Sequence, residues 1–211
     1  LSESMAHAVE RYGTKLFQYS LTAGIPELRE FIAARCNEKY GLGVTPADIL
    51  ITTGSQQALD LIAKITLDPG DGVVVEEPGY LGALQTFQQY APTFHPVPLS
   101  EDGLDVSRLT EALKAPKVKF IYTVPNFQNP TGLTYSVANR EAVYSAIQDK
   151  NVIFIEDDPY GELRFDGKTL PYTAAGRFDN CILLGSFSKT ATPGMRVGYL
   201  VCKNEELREA V

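Results

Sequence analysis

The residues best placed for chemistry lie in Gly185-Ser186-Phe187-Ser188-Lys189-Thr190-Ala191-Thr192-Pro193-Gly194-Met195-Arg196-Val197-Gly198. Lys189 follows the apolar run Cys181–Leu184 and is flanked by small hydroxyl residues. A lysine held beside a core strand sheds its proton at low cost and attacks a carbonyl carbon, forming a Schiff base. Arg196, seven residues on, carries a planar fork suited to a phosphate. The plain alternative is a solvated loop with ordinary charges, because Ser-Lys pairs are common. This stretch alone leaves both open.

Four further loops carry groups that complement it. Gly54-Ser55-Gln56 opens a helix directly after a strand, where free N–H groups and the helix dipole favour a phosphate. Taken singly, Ser55 reads as an N-cap. Tyr80, after Pro78-Gly79, can lay its ring over a planar ligand, although an aromatic at a helix start usually belongs to a core. Asn129, beside Pro130 and Gly132, can donate an amide hydrogen bond to a ring oxygen or simply serve a turn. Asp157 sits just past a buried strand, where an unpaired carboxylate is costly, so a cationic partner such as a protonated pyridine nitrogen is expected. Asp158 should point the other way, toward solvent, and Tyr160 can reach a phenolic ring oxygen. Phosphate donors, a carboxylate for a ring nitrogen, an amide and a phenol for a ring oxygen, and a lysine amine together describe pyridoxal 5′-phosphate. Its protonated ring acts as an electron sink.

The elements that must position these groups alternate. Short, nearly continuous apolar runs at Ile49–Thr52, Val73–Val75, Thr93–Leu99, Lys119–Val124, Val152–Ile155, Cys181–Leu184 and Val197–Cys202 read as strands. Helical patterns begin at Pro26, after Ser55, after Tyr80, at Val106 and at Ser136. Residues 1–19 read as a mixed lead-in containing Lys15-Leu16-Phe17-Gln18-Tyr19, and Ser20–Gly24 as a polar turn. Strands buried on both faces and alternating with helices predict an α/β fold, a three-layer α/β/α sandwich around a mostly parallel sheet. Ligands of such sheets gather at the carboxyl ends of the strands, and all five loops lie there.

Composition narrows the rest. A net charge of −7 over 211 residues argues against a nucleic-acid surface, which needs clustered Lys and Arg. Two histidines, His7 and His95, are too few for a histidine-based zinc site or triad, and no metal site is expected. Cys36, Cys181 and Cys202 lack metal-type spacing and read as reduced core residues of a cytoplasmic protein. No apolar run reaches membrane-spanning length. The chain opens on Leu1 and closes on a helix start at Asn204–Val211, which suggests a portion of a longer protein.

In Asn129-Pro130-Thr131-Gly132, Asp157-Asp158-Pro159-Tyr160, Ser186-Phe187-Ser188-Lys189 with Arg196, Gly54-Ser55-Gln56-Gln57-Ala58-Leu59 and Glu77-Pro78-Gly79-Tyr80, the chain resembles the large domain of a fold-type I aminotransferase of class I/II. The match is to the group that includes 2-aminoadipate and kynurenine aminotransferases. The resemblance implies a transferase of amino-acid metabolism, such as a biosynthetic step, that passes an amino group from an amino acid to a 2-oxo acid on pyridoxal phosphate. It implies that Lys189 holds the cofactor covalently and then moves the substrate proton. Asp157 would pair with the ring nitrogen, Asn129 and Tyr160 with the ring oxygen, and Tyr80 would stack on the ring. Ser55, the Gln56 backbone, Ser186, Ser188 and Arg196 would hold the phosphate. Tyr19 corresponds to the tyrosine sent to the phosphate of a neighbouring subunit, which implies a homodimer. It further implies a division into a lead-in (1–24), a cofactor-binding large domain (25–203) and the start of a helix toward a C-terminal domain (204–211). That domain carries the family's substrate-carboxylate arginine, to which Arg164, Arg177 and Arg208 do not correspond. Two other functions use the same fold: the sensor domain of a GntR/MocR-type transcription regulator, and a lyase or synthase.

Overall fold

The computed structural model describes residues 1–211. The apolar runs form the strands β1 (Ile49–Thr52), β2 (Gly72–Glu77), β3 (Thr93–Ser100), β5 (Val118–Thr123), β6 (Ile153–Asp158), β7 (Cys181–Ser186) and β8 (Gly198–Cys202). A two-residue strand β4 (Gly103–Leu104), absent from the sequence expectation, pairs back on β3. The sheet runs β1-β8-β7-β6-β5-β2-β3-β4. Pairings among β3, β2, β5, β6 and β7 are parallel, and only β8 and β4 run against their neighbours. The carboxyl ends of β1, β2, β5, β6 and β7 therefore share one edge.

Alternate residues of the strands feed two cores. Val74, Ile121, Phe154 and Leu183 pack under α2 (Pro26–Tyr40), α5 (Val106–Ala112) and α6 (Val137–Ile147). Val73, Tyr122, Ile155 and Ile182 pack under α3 (Ser55–Thr66) and α4 (Leu81–Gln88). This is the expected three-layer α/β/α sandwich. The helix stops and starts follow local chemistry. Gly41 closes α2 in the left-handed conformation, the Ser136 hydroxyl accepts the Asn139 N–H at the start of α6, and Asn204 likewise caps α7 (Glu205–Ala210).

Two expectations need correction. The lead-in is a helix, α1 (Ser2–Tyr12), followed by a 3₁₀ turn over Gly13–Phe17. No residue of α1 is buried: Met5, Ala8, Val9 and Tyr12 recur at helical spacing, but nothing in this chain covers that apolar stripe. Strand β6 also runs three residues past its apolar run, through Glu156, Asp157 and Asp158, and all three carboxylates are buried. Asp158 does face the opposite side from Asp157, but it is not solvated. It accepts the Gly161 N–H at 2.8 Å and the Tyr172 hydroxyl at 2.7 Å. The cysteines are free and buried. No helix is long and apolar enough to cross a membrane.

Candidate active site

The five polar loops enclose one cavity of about 430 Å³ at the carboxyl edge of the sheet. Ser55, Gln56, Tyr80, Asn129, Asp157, Tyr160, Ser186, Ser188, Lys189 and Arg196 all line it. At one end stands the N-terminus of α3. Gly54 occupies the cap with φ +76°, so Ser55 is the first helical residue, and its hydroxyl is not the N-cap expected from sequence. Its backbone N–H is among the four that a helix start leaves without intrahelical partners. Gln56 turns its side chain away, donating to Gly82 O and to Thr86 Oγ1, so its backbone rather than its amide is offered to the cavity.

Arg196 reaches the same corner from the loop between β7 and β8. Its own backbone is left-handed, φ 52° and ψ 47°. The guanidinium lies so close to Gly54 that a Cβ there would collide with it. Gly198 is constrained similarly, because a Cβ would fall 2.7 Å from the Gly54 carbonyl carbon and 2.8 Å from Ser55 N. Ser186 Oγ accepts the Ser188 N–H at 3.1 Å, and Ser188 Oγ accepts a 3.5 Å contact from Arg196. Helix amides, three hydroxyls and one guanidinium thus converge on an anion-sized corner.

Asp157 forms the wall on the sheet side. One oxygen, Oδ2, accepts the Tyr122 hydroxyl at 2.8 Å; the other, Oδ1, is buried without any partner. Burial is the main reason its pKa is pushed up to about 7, with Asp158 and Glu76 adding to the rise and the Tyr122 hydrogen bond opposing it. No cation of the chain pairs with it, so the cavity presents an orphan acceptor. Tyr80, at the start of α4, is half-buried, and burial chiefly raises its phenol pKa, with Asp157 and Tyr160 nearby.

A class I and II aminotransferase family profile matches residues 2–211. The chain belongs to that family. Among curated relatives of this aminotransferase-family chain, a 2-aminoadipate transaminase of Thermus thermophilus is 39% identical over the full chain and 52% of its own length. The crystal structure of Pyrococcus horikoshii kynurenine aminotransferase, in complex with PMP, superposes with a TM-score of 0.92 at 40% identity. The match covers 99% of this chain and 53% of that one. An uncharacterized HTH-type transcriptional regulator of Escherichia coli, YdcR, is 36% identical over 86% of this chain and 39% of its own length. The chain spans about half the length of the curated aminotransferases it matches.

Sequence reasoning missed the residues that hold this aminotransferase-type cavity in shape. Tyr122 hides inside an apolar strand, and its parity with Asp157 across β5 and β6 was the one available signal. Gln128 lies directly before the motif residue Asn129. Its amide donates to Glu76 Oε2 at 2.9 Å and to Pro78 O at 2.8 Å, while its oxygen accepts the Thr131 N–H and hydroxyl. It therefore ties the Asn129 loop to the Tyr80 loop. The buried Glu76 also accepts the Val124 N–H and the Tyr135 hydroxyl. Fully buried Arg140 holds the other side, donating to Tyr135 O, Pro171 O, Pro125 O and Asn126 Oδ1. Tyr19 stands apart from the cavity and is fully exposed.

Proposed function

We propose that this chain binds pyridoxal 5′-phosphate and that the protein moves an amino group between an amino acid and a 2-oxo acid. The observation that carries the reading is the orphan Asp157 Oδ1 in a cavity that also holds Lys189 and the Ser55–Arg196 corner. That donor set fits the cofactor at both poles, a carboxylate for the ring nitrogen and N–H, O–H and guanidinium donors for the phosphate. When bound, the cofactor supplies an aldehyde carbon for an amine and an electron-withdrawing ring. Lys189 Nζ is the amine that would hold the cofactor, and it would carry the proton at the substrate Cα. Asp157 keeps the ring nitrogen protonated. Asn129 and Tyr160 hold the ring oxygen, and Tyr80 covers the ring face. Ser55, the Gln56 backbone, Ser186, Ser188 and Arg196 hold the phosphate. The kynurenine aminotransferase complex with PMP supports the cofactor assignment.

The reading is tested by adding pyridoxal phosphate, reducing with borohydride, denaturing and digesting. The expected result is the reduced cofactor's mass on the peptide that contains Lys189. Capture on another lysine, or none, overturns the assignment. Gly54→Ala should weaken cofactor affinity about tenfold or more by displacing the Arg196 guanidinium, because a hydrogen bond to a charged group contributes about 1.5–3 kcal/mol. A fluorescence titration reads that change, and an unaltered Kd rejects the phosphate role of this corner.

Tyr19 is offered to the phosphate site of a second copy, which supports a homodimer. Its full exposure, with Phe17 77% and Leu21 61% exposed beside it, leaves an apolar strip that a partner would cover. Residues 25–203 are then the cofactor-binding domain, with 1–24 serving the dimer and 204–211 leading to a further domain. Three buried free thiols suit a reducing compartment such as the cytoplasm. The YdcR match supports a second reading, a cofactor-binding sensor domain of a GntR/MocR-type regulator. Loading with cofactor but no amino transfer to any 2-oxo acid favours it.

A further inference from the structure

We propose that Tyr122 is a positioning residue for Asp157. Its hydroxyl pins one carboxylate oxygen and thereby presents the other to the cavity as the acceptor for a ring N–H⁺. The proposal rests on the pyridoxal phosphate reading.

Strands β5 and β6 are parallel neighbours, with Tyr122 opposite Ile155. Both residues face the α3/α4 core, and Asp157, two residues beyond Ile155, faces the same way. The Tyr122 hydroxyl therefore arrives at Asp157 from the adjacent strand, at 2.8 Å, with both side chains buried. The ring cannot swing aside, because Phe87 packs on it edge-on at 5.6 Å and 77°. With Oδ2 engaged by the Tyr122 hydroxyl, Oδ1 is the oxygen left without a partner. No other donor touches the carboxylate.

The other groups facing Asp157 offer no substitute. Glu76 on β2 is occupied by Val124 N, Gln128 and Tyr135, and its charge opposes ionisation of Asp157. Asp158 on the same strand opposes it too, as does burial. Tyr80, at the start of α4, is a neutral phenol. Lys189 and Arg196 line the same cavity without forming an ion pair with it. Tyr122 thus supplies the one direct stabilising contact that the anion has before a cation enters, and it fixes where that cation must sit. A merely structural tyrosine would fill volume and leave the carboxylate's titration untouched.

Tyr122→Phe removes the hydroxyl and keeps the ring against Phe87. In ligand-free protein, a carbon-13 NMR titration of the aspartate carboxyls should place Asp157 near pH 7 in the wild type and about one pH unit higher in the variant, the loss of one hydrogen bond to the charged form. In protein loaded with ring-nitrogen-15-labelled pyridoxal phosphate, the nitrogen signal should move toward its unprotonated position, because a more basic carboxylate keeps more of the shared proton. Borohydride capture at Lys189 in the same variant should persist. Unchanged carboxyl and nitrogen signals, with capture intact, overturn the role of Tyr122 alone. Failure of the wild type to take up the cofactor removes the reading on which the proposal stands, and the proposal with it.

Discussion

Ligand-free protein carrying Asp157→Asn is expected to unfold at a higher temperature than the wild type at pH 8, and at nearly the same temperature near pH 4. The sign follows from the direction of the shift. The Asp157 carboxyl titrates near 3.8 in an unfolded chain and at about 7 in the fold, chiefly because burial penalises its charged form. Well below pH 3.8 it is protonated in both states, and at pH 4 the partly ionised unfolded chain separates the two proteins by less than about 1 kcal/mol. Between 4 and 7 the unfolded chain ionises while the folded one does not, so the wild type loses stability as the pH rises. Above 7 the loss is complete, with a ceiling of about 4 kcal/mol at roughly 1.4 kcal/mol per pH unit. Asparagine escapes the loss because its amide stays neutral, and its oxygen still accepts the Tyr122 hydroxyl. Scanning calorimetry from pH 4 to pH 8 reads the divergence; parallel curves at every pH would show that Asp157 is not a buried, strained acid. On the proposed function, the loaded variant should show the opposite, with amino transfer falling by about 10²-fold or more, since an electrostatic partner of the reacting system is lost. A residue whose removal stabilises the empty protein and disables the loaded one is kept for its chemistry.

That conflict also explains what the sequence disclosed. Strands buried on both faces announce themselves as apolar runs, and the loops at their ends are rich in residues that rarely gather without a ligand. The order of the motifs therefore exposed the sheet edge and ten cavity residues. Tyr122 and Gln128 stayed hidden because their importance lies in a partner across the sheet, 35 residues away for Asp157 and 52 for Glu76. Local periodicity cannot register such a pairing. Helix α1 is a different case: Met5, Ala8, Val9 and Tyr12 do recur at helical spacing, and the short stripe was passed over because no neighbouring element of this chain packs on it. Ser55 misled through its type, since serine is a favoured N-cap, whereas the positive φ at the cap selected Gly54.

Asp157's neighbour on β6 should behave in the reverse manner. Glu156 is fully buried on the opposite face of the sheet, where Oε1 accepts the Thr173 N–H at 2.7 Å and Oε2 accepts the N–H groups of Ala174 and Ala175 at 3.0 Å each. These bonds anchor the segment that also carries Tyr172, the partner of Asp158, and the Pro171 carbonyl held by Arg140. Glu156→Ala strips acceptors from three buried amides, and each buried donor left unpaired costs about 1–3 kcal/mol. The variant should lose about 3–5 kcal/mol, less than the sum because the segment can relax toward water. Glu156→Gln keeps the shape but turns an N–H₂ toward one of those donors, so it should lose less, roughly 2 kcal/mol. Urea unfolding measures both, with the midpoint falling and the slope nearly constant. Folded Glu156→Gln protein should still be captured at Lys189, because its contacts lie across the sheet from the cavity. Loss of capture in folded protein would mean that the two faces of β6 are coupled, and that the buried carboxylates on this strand act as one unit.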